Sequence, residues 1–309
     1  MIRIVFIGAG AVGGYFGGLM SEHYKDSKDI EVYFVCREKT SQHIKEKGLN
    51  LETTHGNYNA QLKIYSEDEH RSIKLDYIIC CSKSFDLLES IIPLKENIGM
   101  DTVIIPLLNG VDSYDKIKSI LPETEVWDAC VYIVSRLIEP GHIKETGGIQ
   151  LFYFGSRITN SPKLKIFENI LVNAGIKAKH SIEILQTIWE KFLFISSIAT
   201  LTSYLDKSIG EILSNEDYKS IFHSLLIELK MLADAKNIQL PANIFDTIYD
   251  RMQKLPFEAT SSMHRDFMAG KKTELETLTG AVVRMANELH VQVPQYDKIY
   301  LELVGKPTA

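Results

Sequence analysis

Gly8-Ala9-Gly10-Ala11-Val12-Gly13, preceded by Ile2-Arg3-Ile4-Val5-Phe6-Ile7, is the stretch that decides the fold. A β-rich apolar run that ends in Gly-x-Gly-x-x-Gly and passes into a helical pattern is the opening of a dinucleotide-binding βαβ unit. Gly8 allows the tight turn, Gly10 lets a pyrophosphate approach the backbone, and Gly13 lets helix and strand pack closely. The anion then meets unpaired N–H groups at the positive end of the helix dipole. Ala9, Ala11 and Val12 complete the loop that would line such a site. A glycine-rich turn without a ligand is the alternative.

Working outward, short β-rich runs alternate with helical patterns through the first half, as in βαβ units around a parallel sheet. Strands are expected at 2–7, 30–35, 75–81 and 102–106, with a helix at 11–24. Segments 126–134, 142–145 and 150–154 read as strands at the edge of that sheet, and a helix is expected at 163–173. Near residue 180 the character changes: glycine thins out and helical periods take over. Helices are expected at 182–206, 216–236, 243–254, 258–268 and 274–289, with a short one near Tyr296; the tail 305–309 should fray. The chain thus reads as α/β, a Rossmann-type doubly wound parallel sheet (1–180) followed by an all-helical C-terminal domain (181–309).

Bulk properties agree with two domains: 309 residues with 45% hydrophobic content suffice for two cores. A net charge of −6, from 34 basic and 40 acidic residues, offers no footprint for a nucleic-acid backbone. Cys36, Cys80, Cys81 and Cys130 lack the paired spacing that wraps a metal, so a reduced, cytoplasmic protein without a metal is the simplest reading. The first 20 residues lack a basic leader and are crowded with glycine, unlike a signal peptide. The uncharged run 192–205 has fourteen residues, short of the roughly 20 that cross a bilayer, and reads as a buried helix rather than a membrane segment.

The choice of nucleotide turns on the end of the second strand, where an NAD site places Asp or Glu for the ribose 2′-hydroxyl. Here Val35-Cys36 leads into Arg37, which can pair with a 2′-phosphate and cannot accept from a hydroxyl, so NADP(H) is favoured. Glu38 is adjacent, and a solvated surface arginine is the other reading.

With these residues in place, the chain resembles the ketopantoate reductase family over nearly its whole length. The glycine loop is followed in order by Cys81-Ser82-Lys83, Leu108-Asn109-Gly110, Pro140-Gly141-His142, Trp189-Glu190-Lys191 and Ser261-Ser262-Met263-His264-Arg265-Asp266. Ala269-Gly270-Lys271-Lys272-Thr273-Glu274 and Gly280-Ala281-Val282-Val283 complete the series. The ordered set is far more specific than any piece.

The resemblance implies reduction of ketopantoate to pantoate with NADPH, a step of pantothenate biosynthesis. Hydride addition to a ketone leaves negative charge on oxygen, which calls for a proton donor or a fixed cation. Lys191, early in an apolar helix, is the family's proton donor by resemblance; otherwise it snorkels to solvent. Thr273 and Glu276 have capping-box spacing, which would put Glu274 in a first helical turn. By resemblance Glu274 faces cofactor and active site and holds Lys191 charged; read alone, it complements a helix dipole. Asn109 resembles the residue that orients the nicotinamide ribose and the lysine, Lys83 a cofactor contact, and Ser262 the serine that meets the substrate carboxylate. Asn109 and Lys83 are otherwise turn residues.

The family's asparagines four and eight residues after the lysine are replaced here by Ile195 and Ala199, and Ser196, Ser197 or Thr202 could compensate. A reductase of another 2-oxo acid, or a non-catalytic NADP(H)-binding sensor, therefore stays open. A homodimer is compatible with the reading. Serine-hydrolase and zinc-protease motifs are absent, and His264, two residues from Ser262, would point away from it on a helix.

Overall fold

The computed structural model describes residues 1–158 and 161–306; of the tail expected to fray, residues 307–309 lie outside the described residues. The chain divides into two compact units, Met1–Leu108 with Ser113–Ile184, and Asn109–Asp112 with the chain from Leu185 on. A short turn from the first half therefore belongs to the second unit, which a single cut near 180 does not anticipate.

In the first unit the chain runs β1 (Ile2–Ile7), α1 (Ala11–Tyr24), β2 (Ile30–Val35), α2 (Glu38–Lys47), β3 (Leu49–Thr53), β4 (Gly56–Ala60), β5 (Lys63–Ile64) and α3 (Glu67–His70). It continues through β6 (Tyr77–Cys80), α4 (Leu87–Ile91), β7 (Val103–Pro106), α5 (Ser113–Ile120), β8 (Glu125–Val126), β9 (Asp128–Glu139), β10 (His142–Gly155), α6 (Pro162–Asn173) and β11 (Lys177–His180). Among the described residues, six strands form a parallel sheet in the order β5-β2-β1-β6-β7-β8.

Period-two side-chain alternation explains why the central strands are apolar throughout. Ile4, Phe6, Val32, Phe34, Ile79 and Ile105 enter one core, whereas Val5, Ile7, Tyr33, Ile78, Cys80 and Ile104 enter the core on the opposite face. A parallel sheet covered on both sides needs apolar residues at both parities. Each such side chain contributes roughly 1.5–3 kcal/mol on full burial.

Of the segments expected at the edge of this sheet, Val126 stays there in β8, whereas 128–134, 142–145 and 150–154 form a second sheet instead. In it β10 pairs antiparallel with β9 and parallel with β3 and β11, and β3 forms a hairpin with β4. The two segments 142–145 and 150–154 are one strand, with a register shift between Glu145 and Gln150. Gly147 and Gly148 sit in that shift with φ of +94° and +66°, so a dipeptide that reads as a turn is a bulge.

The second unit is helical: α7 (Ile184–Leu205), α8 (Ile209–Ser214), α9 (Glu216–Ala235), α10 (Ile244–Gln253), α11 (Ser262–Met268), a π-helical turn (Glu276–Gly280), α12 (Ala281–Leu289) and α13 (Pro294–Val304). On α9, Phe222, Leu225, Leu226, Leu229, Leu232 and Ala233 form one buried stripe at helical spacing. Helix α7 has 22 residues, longer than the uncharged run, because Glu190 and Lys191 do not interrupt it. By length and composition alone it could cross a membrane. Phe192, Leu193 and Leu201 are instead buried in the core of this unit.

Helix α11 is shorter than expected. The carbonyls of Phe257 and Ala259 are taken by Gly210 N and Ile209 N, each at 2.9 Å, and Ser261 caps the helix by accepting from His264 N at 3.0 Å. Residues 258–261 thus serve the start of α8 rather than a helix of their own.

Candidate functional site

The glycine turn stands where the order of the parallel sheet reverses, between β1 and its neighbours β2 and β6. Ligands of open α/β sheets bind outside the carboxyl ends of strands at such a point. Gly8 N donates to Val35 O and Cys81 N to Ile7 O, both at 2.8 Å, which ties the turn to both flanking strands. Gly8 has φ +104°, and a Cβ there would stand 2.9 Å from the Cys81 carbonyl oxygen. At Gly13 a Cβ would collide with the Gly8 carbonyl oxygen and lie 2.7 Å from Cys81 Cβ. Around the Cβ position of Gly10, in contrast, nothing lies within 4 Å. The first and third glycines close the helix onto the strand, and the second leaves the approach to the helix N-terminus open. That is the pattern a bound pyrophosphate needs.

Arg37 is two residues beyond β2 and precedes α2, while Lys83, three beyond β6, precedes a short 3₁₀ turn, Ser84–Asp86; both side chains are exposed. Arg37 Nη2 lies 3.2 Å from Asp86 Oδ2. Burial pushes the Cys36 thiol up to about 11 and raises the Cys81 thiol well above its ordinary value, so neither supplies a thiolate at neutral pH.

A second polar group assembles within the helical unit. Lys191 Nζ donates to Asn109 Oδ1 at 3.1 Å, and Asn109 Nδ2 donates to Glu274 Oε2 at 3.5 Å. Lys191 and Asn109 are half-buried, while Glu274 is only 6% exposed. The asparagine amide therefore joins an ammonium to a carboxylate, and the two charges offset one another in a setting where either alone would be costly.

Local chain geometry holds these residues together. Gly110 has φ +99°, and a Cβ there would come within 2.6 Å of Thr277 Cγ2, so the turn carrying Asn109 packs against the π-helical turn that follows Glu274. That turn is pinned from α7: Ser196 Oγ donates to Leu278 O at 2.7 Å, and the hydroxyls of Thr200 and Thr279 lie 2.7 Å apart. Single π-helical turns of this kind are frequent at functional sites. Gly110→Ala is expected to destabilise the protein by roughly 1–3 kcal/mol, combining a positive φ with a collision. Urea denaturation of the variant beside the parent measures it.

Several expected details differ. Thr273 Oγ1 accepts from Leu275 N at 3.3 Å, but Glu276 does not close a capping box, because its carboxylate is held by Arg284 Nη1 and the Tyr300 hydroxyl, each at 2.6 Å. Ser196 and Thr202 are fully buried; Ser196 serves Leu278 and Tyr296, and Thr202 serves Ile198 and Ser261. Ser197 is also fully buried. None of the three reaches solvent, so they do not replace the missing asparagines. Ile195 and Ala199 follow Lys191 at one and two turns, half-buried and buried respectively. Ser262 is exposed at the first position of α11, and His264 is bound to Asp206 at 2.8 Å. Sequence reasoning missed Asp86 and the π-helical turn. Neither carries a spacing signal, since both are defined by partners remote in the chain.

Comparison with known proteins identifies the family. The family model described as Ketopantoate reductase PanE/ApbA matches residues 4–158, and its C-terminal counterpart matches 183–306. The chain is 28% identical over 305 residues to the Uncharacterized oxidoreductase YkpB of Bacillus subtilis (strain 168), covering 98% of each. The crystal structure of 2-dehydropantoate 2-reductase from Porphyromonas gingivalis W83 is 33% identical, with a TM-score of 0.85, covering 98% of this chain and 99% of that one. D-mandelate dehydrogenase, solved with NADH and anilino(oxo)acetate, shares the fold at a TM-score of 0.85 and 22% identity, covering 98% of this chain and 97% of that one. With both halves matched in order, the chain is an oxidoreductase that belongs to the ketopantoate reductase family.

Proposed function

We propose that the protein reduces a 2-oxo acid to the 2-hydroxy acid with NADPH, and that ketopantoate, reduced to pantoate for pantothenate biosynthesis, is its substrate. The observation that carries this reading is the contact of Lys191 Nζ with Asn109 Oδ1 at 3.1 Å, with Glu274 on the far side of the amide. A protein that only senses the nucleotide has no need of a buried carboxylate supporting a lysine.

When bound, the nicotinamide supplies the hydride. The open approach above Gly10 and the exposed guanidinium of Arg37 fit its pyrophosphate and 2′-phosphate. Gly8, whose own N–H is held by Val35 O, shapes the turn so that the backbone N–H groups of the loop from Ala9 to Gly13 face the phosphates, and Lys83 adds a second cation past β6. At the ketone oxygen the Lys191 ammonium donates the proton that turns developing alkoxide into alcohol. Asn109 fixes the direction of that N–H, and Glu274 keeps the ammonium charged until transfer. Half-exposed, Lys191 then recovers a proton from solvent. Ser262 is the proposed contact for the substrate carboxylate.

A second reading is favoured by Ile195 and Ala199: a 2-oxo acid whose remaining group is apolar. Neither residue can hydrogen-bond a substrate hydroxyl, and a lost polar contact in a buried site costs about 1–3 kcal/mol. The experiment is a panel of 2-oxo acids, ketopantoate included, with purified protein and either NADPH or NADH. NADPH oxidation with at least one 2-oxo acid is expected, at higher kcat/KM than with NADH. The ranking separates the readings, since an apolar acid ahead of ketopantoate selects the second. Silence with every acid and both nucleotides would end both.

A further inference from the structure

The register Ile7↔Val35 and Ile7↔Cys80 sets the carboxyl ends of β2, β1 and β6 level. Arg37 is two residues past the first of these, Asp86 six past the last, and the glycine turn leaves β1 between them. The Arg37–Asp86 contact at 3.2 Å therefore crosses the sheet end on which a dinucleotide would lie. Arg37 is 87% exposed and Asp86 30%, so the pair is wet and easily opened. Asp86 is the better-held partner: it ends the 3₁₀ turn, and its N–H donates to Lys83 O at 2.9 Å.

Two ribose chemistries meet this pair differently. A 2′-phosphate that reaches Arg37 must displace the Asp86 carboxylate or settle beside it, anion against anion. A 2′-hydroxyl can donate to Asp86 while Arg37 stays paired. NAD sites place a carboxylate for that hydroxyl at the end of the second strand; here one reaches over from the turn after β6. On the reading of this loop as the nucleotide site, we propose that Asp86 is a specificity-determining residue, which competes with the 2′-phosphate for Arg37 and accepts the 2′-hydroxyl of NADH, so that the protein binds both nucleotides and prefers NADPH only narrowly.

The test is calorimetry of NADPH and NADH with the full chain, without a 2-oxo acid, for the parent, Asp86→Asn and Asp86→Ser. Removing the charge should tighten NADPH and weaken NADH, moving their affinity ratio toward NADPH on the order of fivefold to tenfold at low salt, about one close charge contact in water. Opposite signs for the two nucleotides separate this from structural damage, which weakens both. An unchanged ratio overturns the proposal. So does a ratio that falls, which would mean Asp86 positions Arg37 for the phosphate. If the parent binds neither nucleotide, the site itself has been misread and the proposal falls with it.

Discussion

Lys191→Ala should lower kcat with the best 2-oxo acid by roughly 10²- to 10⁴-fold, the usual worth of a positioned general acid. Affinity for NADPH should stay within a few-fold. The two effects separate because the residues proposed to hold the phosphates, Gly8 to Gly13 and Arg37, belong to the first unit, whereas Lys191 belongs to the second. Lys191→Met would keep most of the aliphatic stem and remove the proton, so it should be as slow as alanine if acid catalysis is the function lost. Steady-state kinetics beside calorimetry reads both quantities. Undiminished kcat in either variant would refute the mechanism and leave the fold and nucleotide readings standing, since they rest on other residues.

How much of this was legible in the sequence depends on whether local pattern or remote contact decides each feature. Strand β1, helix α1 and strand β2 have the expected bounds because each is set by its own run: buried apolar residues, then glycine, then helical period. The members of the polar cluster were legible only through resemblance, and Asn109 and Lys191 are 82 positions apart. The second sheet was missed for two reasons. The bulge between Glu145 and Gln150 breaks the alternation of β10 into two short runs, and the glycines within it mimic a turn. The π-helical turn was invisible because Glu276 to Leu289 has an ordinary helical period. What holds the turn is a pair of hydroxyls from α7, Ser196 on Leu278 O and Thr200 on the Thr279 hydroxyl, with Tyr296 of α13 backing Ser196. The proposed rescue by Ser196 and Thr202 failed on the same ground: those hydroxyls are already committed to holding backbone and neighbours inside the unit.

Glu274→Ala is the other large effect expected, with kcat reduced roughly 10- to 10²-fold, in line with the 1.5–3 kcal/mol of a hydrogen bond to a charged group. Its carboxylate is 6% exposed and is linked to Lys191 through the Asn109 amide. Removing it takes from that amide its Glu274 acceptor and from the cluster its carboxylate, so Lys191 should be less well held. NADPH affinity should also fall, since the family resemblance puts this carboxylate near the nucleotide. Glu274→Gln, which keeps an acceptor for Asn109 and removes only the charge, should retain more activity than alanine. Asn109→Ala cuts the same path at its middle. Because all three side chains act in series, the Asn109→Ala/Glu274→Ala double variant should be little worse than the more severe single one, a coupling of the size that contacting network residues show. Equal thermal unfolding midpoints across the set would assign the losses to chemistry rather than folding. Losses that simply multiply would mean that Glu274 and Asn109 act independently, and the proton would then have to be held at Lys191 by some other group.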